Sequence, residues 1–102
     1  MKYFMIVSSG LDNPALDEAA MAEAKQSHLA YLNEAVVNGT VLLTGPRIGA
    51  VGGCMVMKAE SYDKALEFSN GDPFAIVKIR ESIIFEFNPH DYQDFLNDWI
   101  EK

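Results

Sequence analysis

Few side chains here are suited to proton transfer near neutral pH: two histidines, His28 and His90, and one cysteine, Cys54. His28 lies three residues after Lys25, so the two share a helix face. At helical spacing Lys25 falls within the stripe of Ala22, Leu29, Leu32 and Val36, and His28 falls at its edge. An unpaired buried ammonium is costly. One reading is that Lys25 snorkels outward and His28 is a boundary histidine. The other is that the helix opens onto a polar pocket, where His28 could act as a base and Lys25 could anchor an anion. Asp72 in "FSNGDPFAIVK" (68–78) poses a similar choice. Asp before Pro suits a helix N-terminus, yet the carboxylate could also be aimed at another side chain. Both roles coexist if one oxygen caps and the other meets an imidazole.

The remaining candidates are plainer. Residues Gly45 to Gly53 resemble a phosphate loop in composition, but no helix follows to hold phosphate, so a wide hairpin loop is expected. Arg47 within it reads as an exposed arginine that could still meet an anionic ligand. Cys54 opens a strand and reads as a buried, inert thiol. His90 falls in the first turn of a closing helix, where a protonated imidazole gains nothing from the helix dipole. Two distant histidines lack ligand spacing, so neither a metal nor another cofactor is expected.

The elements that must position these groups come from a chain of 102 residues, 49% hydrophobic and 11% aromatic, enough for one domain over 1–102. Eight basic and fifteen acidic residues give a net charge of −7. Such a surface repels nucleic acid and anionic membranes, though a local basic pocket is compatible with it. A single cysteine permits no internal disulfide and fits a reducing compartment. The opening "MKYFMIVSSG" is too short an apolar run for a secretory core or a membrane span, so a cytoplasmic location is expected.

Apolar runs bounded by Gly, Ser or Pro predict strands over 2–8, 40–45, 54–59 and 79–87. Helical periodicity predicts helices over 13–39 and 61–71, a helical turn over 72–77, and a closing helix over 88–102. In that last helix Asn88 would cap, Pro89 take the first position, and Tyr92, Phe95, Leu96 and Trp99 form the apolar face. The class is α+β, in the order β-α-β-β-α-β with an added C-terminal helix. This is the split βαβ, ferredoxin-like order, with two helices on one face of an antiparallel sheet. The first and third strands are apolar on both faces, so the second sheet face needs a cover. A second copy of the chain, sheet against sheet, is the economical one.

"HLAYLNEAVVNGTVLLTGP" and "SNGDPF" together resemble the YciI-like family, the YCII-related domain, over most of the chain up to Phe87. The shared features are a His-Leu-x-x-Leu helix, a Gly before a short strand closed by Gly-Pro, and Asp-Pro-Phe after the second helix. The resemblance implies a ferredoxin-like unit that pairs into a dimeric α+β barrel. It also implies a His–Asp site, which by motif falls on His28 and Asp72. The family's Arg three residues before its His is Lys25 here, a point charge in place of a planar fork. Lys25, Arg47, Pro46 and Phe74 would then surround a substrate. In such a pair the carboxylate fixes the imidazole tautomer.

Two functions follow. The first is a small cofactor-independent enzyme of lyase, dehydrochlorinase or isomerase type, with His28 as acid or base and Asp72 orienting it, acting on a small and, in some cases, anionic molecule. The second is a non-catalytic dimer that binds a small ligand or a protein through the same pocket.

Overall fold

The computed structural model describes residues 1–100. Its elements are β1 (Lys2–Gly10), α1 (Glu18–Val37), β2 (Val41–Pro46), β3 (Gly53–Ala59), α2 (Tyr62–Asn70), the short α3 (Pro73–Ile76) and β4 (Arg80–Phe87). The strands form one antiparallel sheet in the order β2-β3-β1-β4. That is the ferredoxin-like arrangement expected from the element order.

Strand alternation explains the core. Phe4 and Ile6 of β1, and Met57 and Ala59 of β3, point to one face and are buried there with Ala35 of α1 and Ala65 of α2. Burying a side chain the size of Phe4 or Met57 contributes about 1.5–3 kcal/mol. Small alanines at the helix contact points let both helices approach the sheet closely. The other face carries Met5, Leu43, Ile83 and Phe85, all exposed. The register places Met5 opposite Phe85, and Val7 opposite Ile83, so these residues form a continuous apolar surface.

The helical stripe differs from the expected one. The buried positions of α1 are Ala24, Leu32 and Ala35. His28, four residues after Ala24 and four before Leu32, therefore lies on the packed side, while Ala22 and Lys25 are exposed. Larger Leu29 and Val36 dominate a hydrophobicity reading, but alanines fit the close helix–sheet contact. The helix also begins later than Asn13. Asp17 caps it, accepting from the Ala20 N–H at 2.8 Å. Asn13 instead donates from Nδ2 to the Val77 carbonyl at 2.8 Å, tying the pre-helix loop to the end of α3.

The closing segment is not the α-helix expected over 88–102. It forms a single 3-10 turn, Asp94–Leu96, and residues 101–102 lie outside the described part. Four Asp or Asn residues between 91 and 98 favour turns over helix. Tertiary contacts also hold the segment in another path, across the outer sheet face. Trp99 Nε1–H donates to the Gly39 carbonyl at 2.8 Å, the Trp99 ring lies 5.5 Å from that of Tyr3, and Lys58 Nζ donates to the Trp99 carbonyl at 2.9 Å. Phe95, placed on the apolar face of the expected helix, is exposed instead. So is Tyr62 in part, although its ring still approaches Phe4.

Candidate functional site

Asp72 is positioned by local sequence. Gly71 closes α2, and Asp72 stands in extended backbone before Pro73, the first residue of α3. A Cβ on Gly71 would lie 2.7 Å from the Tyr31 hydroxyl, so a larger residue at this corner would have to push that ring tip aside. Asp72 Oδ1 accepts the Phe74 N–H at 2.9 Å, which is the capping role. The same oxygen lies 2.7 Å from His28 Nδ1, and Oδ2 lies 2.9 Å from it. Capping and pairing thus coexist, with one oxygen serving both rather than each oxygen taking one role.

The contact defines the imidazole. An ionised carboxylate only accepts, so Nδ1 carries the proton and donates it. Nε2 has no protein hydrogen-bond partner among the described residues and is the nitrogen left for a ligand. The pair is mostly shielded, with side-chain exposures of 15% and 17%. The His28 ring stacks on Phe74 at 4.0 Å between centroids and 16° between planes, which fixes the remaining rotation. Phe74 is buried with Ala24 and Ile79 in a second small core. Nearby, the Tyr31 hydroxyl donates to the Phe68 carbonyl at 2.8 Å. Burial pushes the Tyr31 phenol above its ordinary value, and the charges of Asp72 and Glu67 push it the same way.

His28, Asp72, Phe68 and Phe74 line a cavity of about 560 Å³ between α1, the Asp72 corner and the helix-facing side of the sheet. That volume is in the range of small-molecule sites. Its walls are largely apolar, from Leu29, Leu32, Val36, Met55 and Phe68. Lys25, Pro46 and Phe74 also line it, as does Leu29, which is 56% exposed because it faces this space. Of the six residues singled out from sequence, His28, Asp72, Lys25, Pro46 and Phe74 are thus brought together.

Arg47 is not among them. Its guanidinium donates to Ser9 Oγ at 3.1 Å and to the Ser8 carbonyl at 3.4 Å. It is held there because the glycine-rich segment folds back on β1. Gly10 N–H donates to the Val51 carbonyl, and Gly52, at φ 145°, packs so closely that a Cβ would meet the Ser8 carbonyl at 1.9 Å. The cationic side chain missed from sequence is Arg80, at the start of β4, which lines the cavity with its Cζ 4.8 Å from the Phe74 ring centroid. The signal was available in strand alternation: Ile83, Phe85 and Phe87 on one face place Arg80 and Ser82 on the other. Cys54 is exposed rather than buried; it stands between Val7 on β1 and Gly45 on β2, and Gly45 has no side chain to cover it. His90 is at the surface, 3.3 Å from Asp91. No group of three His, Cys, Asp or Glu side chains among the described residues could hold a metal ion.

The family model for the YCII-related domain matches residues 1–88. The chain belongs to this family. A search of curated protein sequences finds no match. Among solved structures, the chain is similar to 5-chloro-2-hydroxyhydroquinone dehydrochlorinase (TftG) from Burkholderia phenoliruptrix AC1100, solved in complex with 2,5-dihydroxybenzoquinone. The two are 21% identical, with a TM-score of 0.63 over 83% of this chain and 93% of the other. At that identity the likeness shows a shared fold, the ferredoxin-like α+β arrangement. No helix among the described residues is long and apolar enough to cross a membrane.

Proposed function

We propose that this YCII-related chain is a small cofactor-independent acid–base enzyme of lyase or isomerase type, working as a homodimer on a small organic substrate. The observation that carries the reading is the His28–Asp72 contact on the wall of the cavity. Asp72 holds the tautomer in which Nε2 has the free lone pair. Nε2 takes a proton from a substrate C–H acidified by a neighbouring carbonyl or, for a hydroxyarene in its keto form, from a ring hydroxyl. The electron pair left behind forms a new C=C or C=O bond. In an elimination the leaving group departs with its own bonding pair, as chloride for a chlorinated substrate, and the imidazolium returns its proton to water. In an isomerisation the proton goes back to a different carbon. Both routes need one positioned base, a device typically worth about 10²–10⁴ in rate. The dehydrochlorinase activity of the structurally similar protein supports this class of chemistry. The apolar outer sheet face of Met5, Leu43, Ile83 and Phe85 supports pairing with a second copy.

The test is chloride release from 5-chloro-2-hydroxyhydroquinone by the parent and by His28→Ala. A loss of about 100-fold or more is expected in the variant. Release at the parental rate by His28→Ala would remove His28 from the chemistry. If the parent releases no chloride yet binds 2,5-dihydroxybenzoquinone stoichiometrically, the non-catalytic ligand-binding reading takes its place.

A further inference from the structure

The proposal above leaves Arg80 without a task. Its guanidinium lies 4.8 Å from the Phe74 centroid, and the His28 ring lies 4.0 Å from that same centroid, so the two polar groups are within about 9 Å of each other. Arg80 is half-buried and lines the cavity. It forms no ion pair with a carboxylate among the described residues. The one carboxylate in the cavity wall, Asp72, is already engaged by His28 and by the Phe74 N–H. A half-buried guanidinium has five donors and no acceptor of its own. Stacking on a ring occupies its face and leaves the N–H edge for a ligand. Arg80 stands opposite Gly10 in the register, and its Nη1 is 3.9 Å from where a Cβ on Gly53 would lie, so the guanidinium reaches across β1 toward the glycine-rich segment. The chain as a whole carries a charge of −7, yet the charged side chains of this cavity other than the His28–Asp72 pair are both cations, Arg80 and the exposed Lys25.

We infer that Arg80 binds and orients an anionic oxygen of the ligand, a carboxylate or phenolate on a planar unsaturated body that rests on the apolar walls. The inference rests on the reading of this cavity as the ligand site and adds the class of ligand. A guanidinium meets a carboxylate in two parallel hydrogen bonds and a phenolate through its single oxygen, and with the anion fixed there the body of the molecule extends toward Nε2 of His28. Arg80 is therefore a binding and positioning residue, and the base is His28.

The test compares 2,5-dihydroxybenzoate with its neutral amide, 2,5-dihydroxybenzamide, by calorimetric titration of the full chain. The parent is expected to bind the acid at least about tenfold more tightly than the amide. Arg80→Gln is expected to erase that preference by weakening the acid far more than the amide, and Arg80→Lys to keep part of it. Lys25→Gln, at an exposed and screened position, is expected to weaken the acid by less than about threefold. Equal affinities for acid and amide in the parent, or no binding of the acid, would overturn the inference. So would an acid preference that survives in Arg80→Gln. If Arg80→Gln does not fold, the parent's ratio and Arg80→Lys decide. His28→Gln separates this inference from the proposed function: it should keep the acid preference while turnover is lost. Turnover by a parent that shows no acid preference would sink the Arg80 assignment alone.

Discussion

Substitutions at Asp72 can separate its two tasks by size. Asp72→Asn keeps an N-cap of equal quality and an oxygen that can accept from His28 Nδ1–H, so it removes charge but little geometry. Asp72→Ser keeps the cap and loses the reach to His28. Asp72→Ala loses both. The Phe74 N–H bond is 2.9 Å long, and losing such a cap costs about 1 kcal/mol. The contact to His28 is short and mostly shielded, and a hydrogen bond to a charged group contributes about 1.5–3 kcal/mol. The expected order of destabilisation is Asn, then Ser, then Ala, with Ala about 2.5–4 kcal/mol below the parent. Urea unfolding at one fixed protein concentration measures this, because a pairing protein's stability depends on concentration. Adding His28→Ala to each variant completes the comparison. The Ala and Ser variants should lose less on the second change than the parent does, since the partner is already gone. If Asp72→Ala is as stable as Asp72→Asn, neither the cap nor the pair contributes as argued. If His28→Ala costs the same in the parent and in Asp72→Ala, the two residues are not coupled.

Other outcomes follow from single contacts. Gly52→Ala would place a Cβ at 1.9 Å from the Ser8 carbonyl in a backbone conformation that L residues avoid, so it should lower the urea midpoint sharply. Gly45→Ala, with nothing within 4 Å of the added atom, should change it little. If the proposed homodimer forms through the outer face, the parent should scatter light as a dimer and Phe85→Asp as a monomer; a monomeric parent would refute the pairing, and a Phe85→Asp dimer would place the interface elsewhere. Tyr31 has its phenol raised in the folded state by burial and by the Asp72 and Glu67 charges. The unfolded chain therefore loses that proton first, and the stability Tyr31 contributes is complete below about pH 10 and declines as pH rises above it. Tyr31→Phe should reduce this alkaline decline in unfolding curves, and an identical slope would contradict it.

Much of the fold could be read from sequence because alternation and turn residues agreed. The apolar faces of "KYFMIVS" and "CMVMKA" marked central strands that need cover on both sides. The motif pieces around His28 and Asp72 brought together two groups 44 residues apart. What failed shares a cause. Alanines 24 and 35 carry little hydrophobic signal yet form the closest contact of α1, so the buried side of the helix was misplaced and His28 was put at its edge. The closing segment has a helical pattern of aromatics, but Trp99 and Ile100 follow the outer sheet face, a partner that no local pattern encodes. Arg80 rather than Arg47 lines the cavity for a similar reason: the loop folds back on β1 through backbone contacts, whereas Arg80 is aimed by the register of β4.

The two sides of the cavity are built differently. Phe74 is also the centre of a small core with Ala24 and Ile79, so the side that holds the imidazole is part of what keeps the chain folded. Elsewhere on the cavity wall, Leu29, Val36 and Pro46 line the space while remaining exposed, and they belong to neither buried core cluster. Changes on that side can alter which molecules fit without weakening the fold. A lineage using this scaffold is therefore free to drift in ligand shape while its His28–Asp72 corner stays under selection for folding itself.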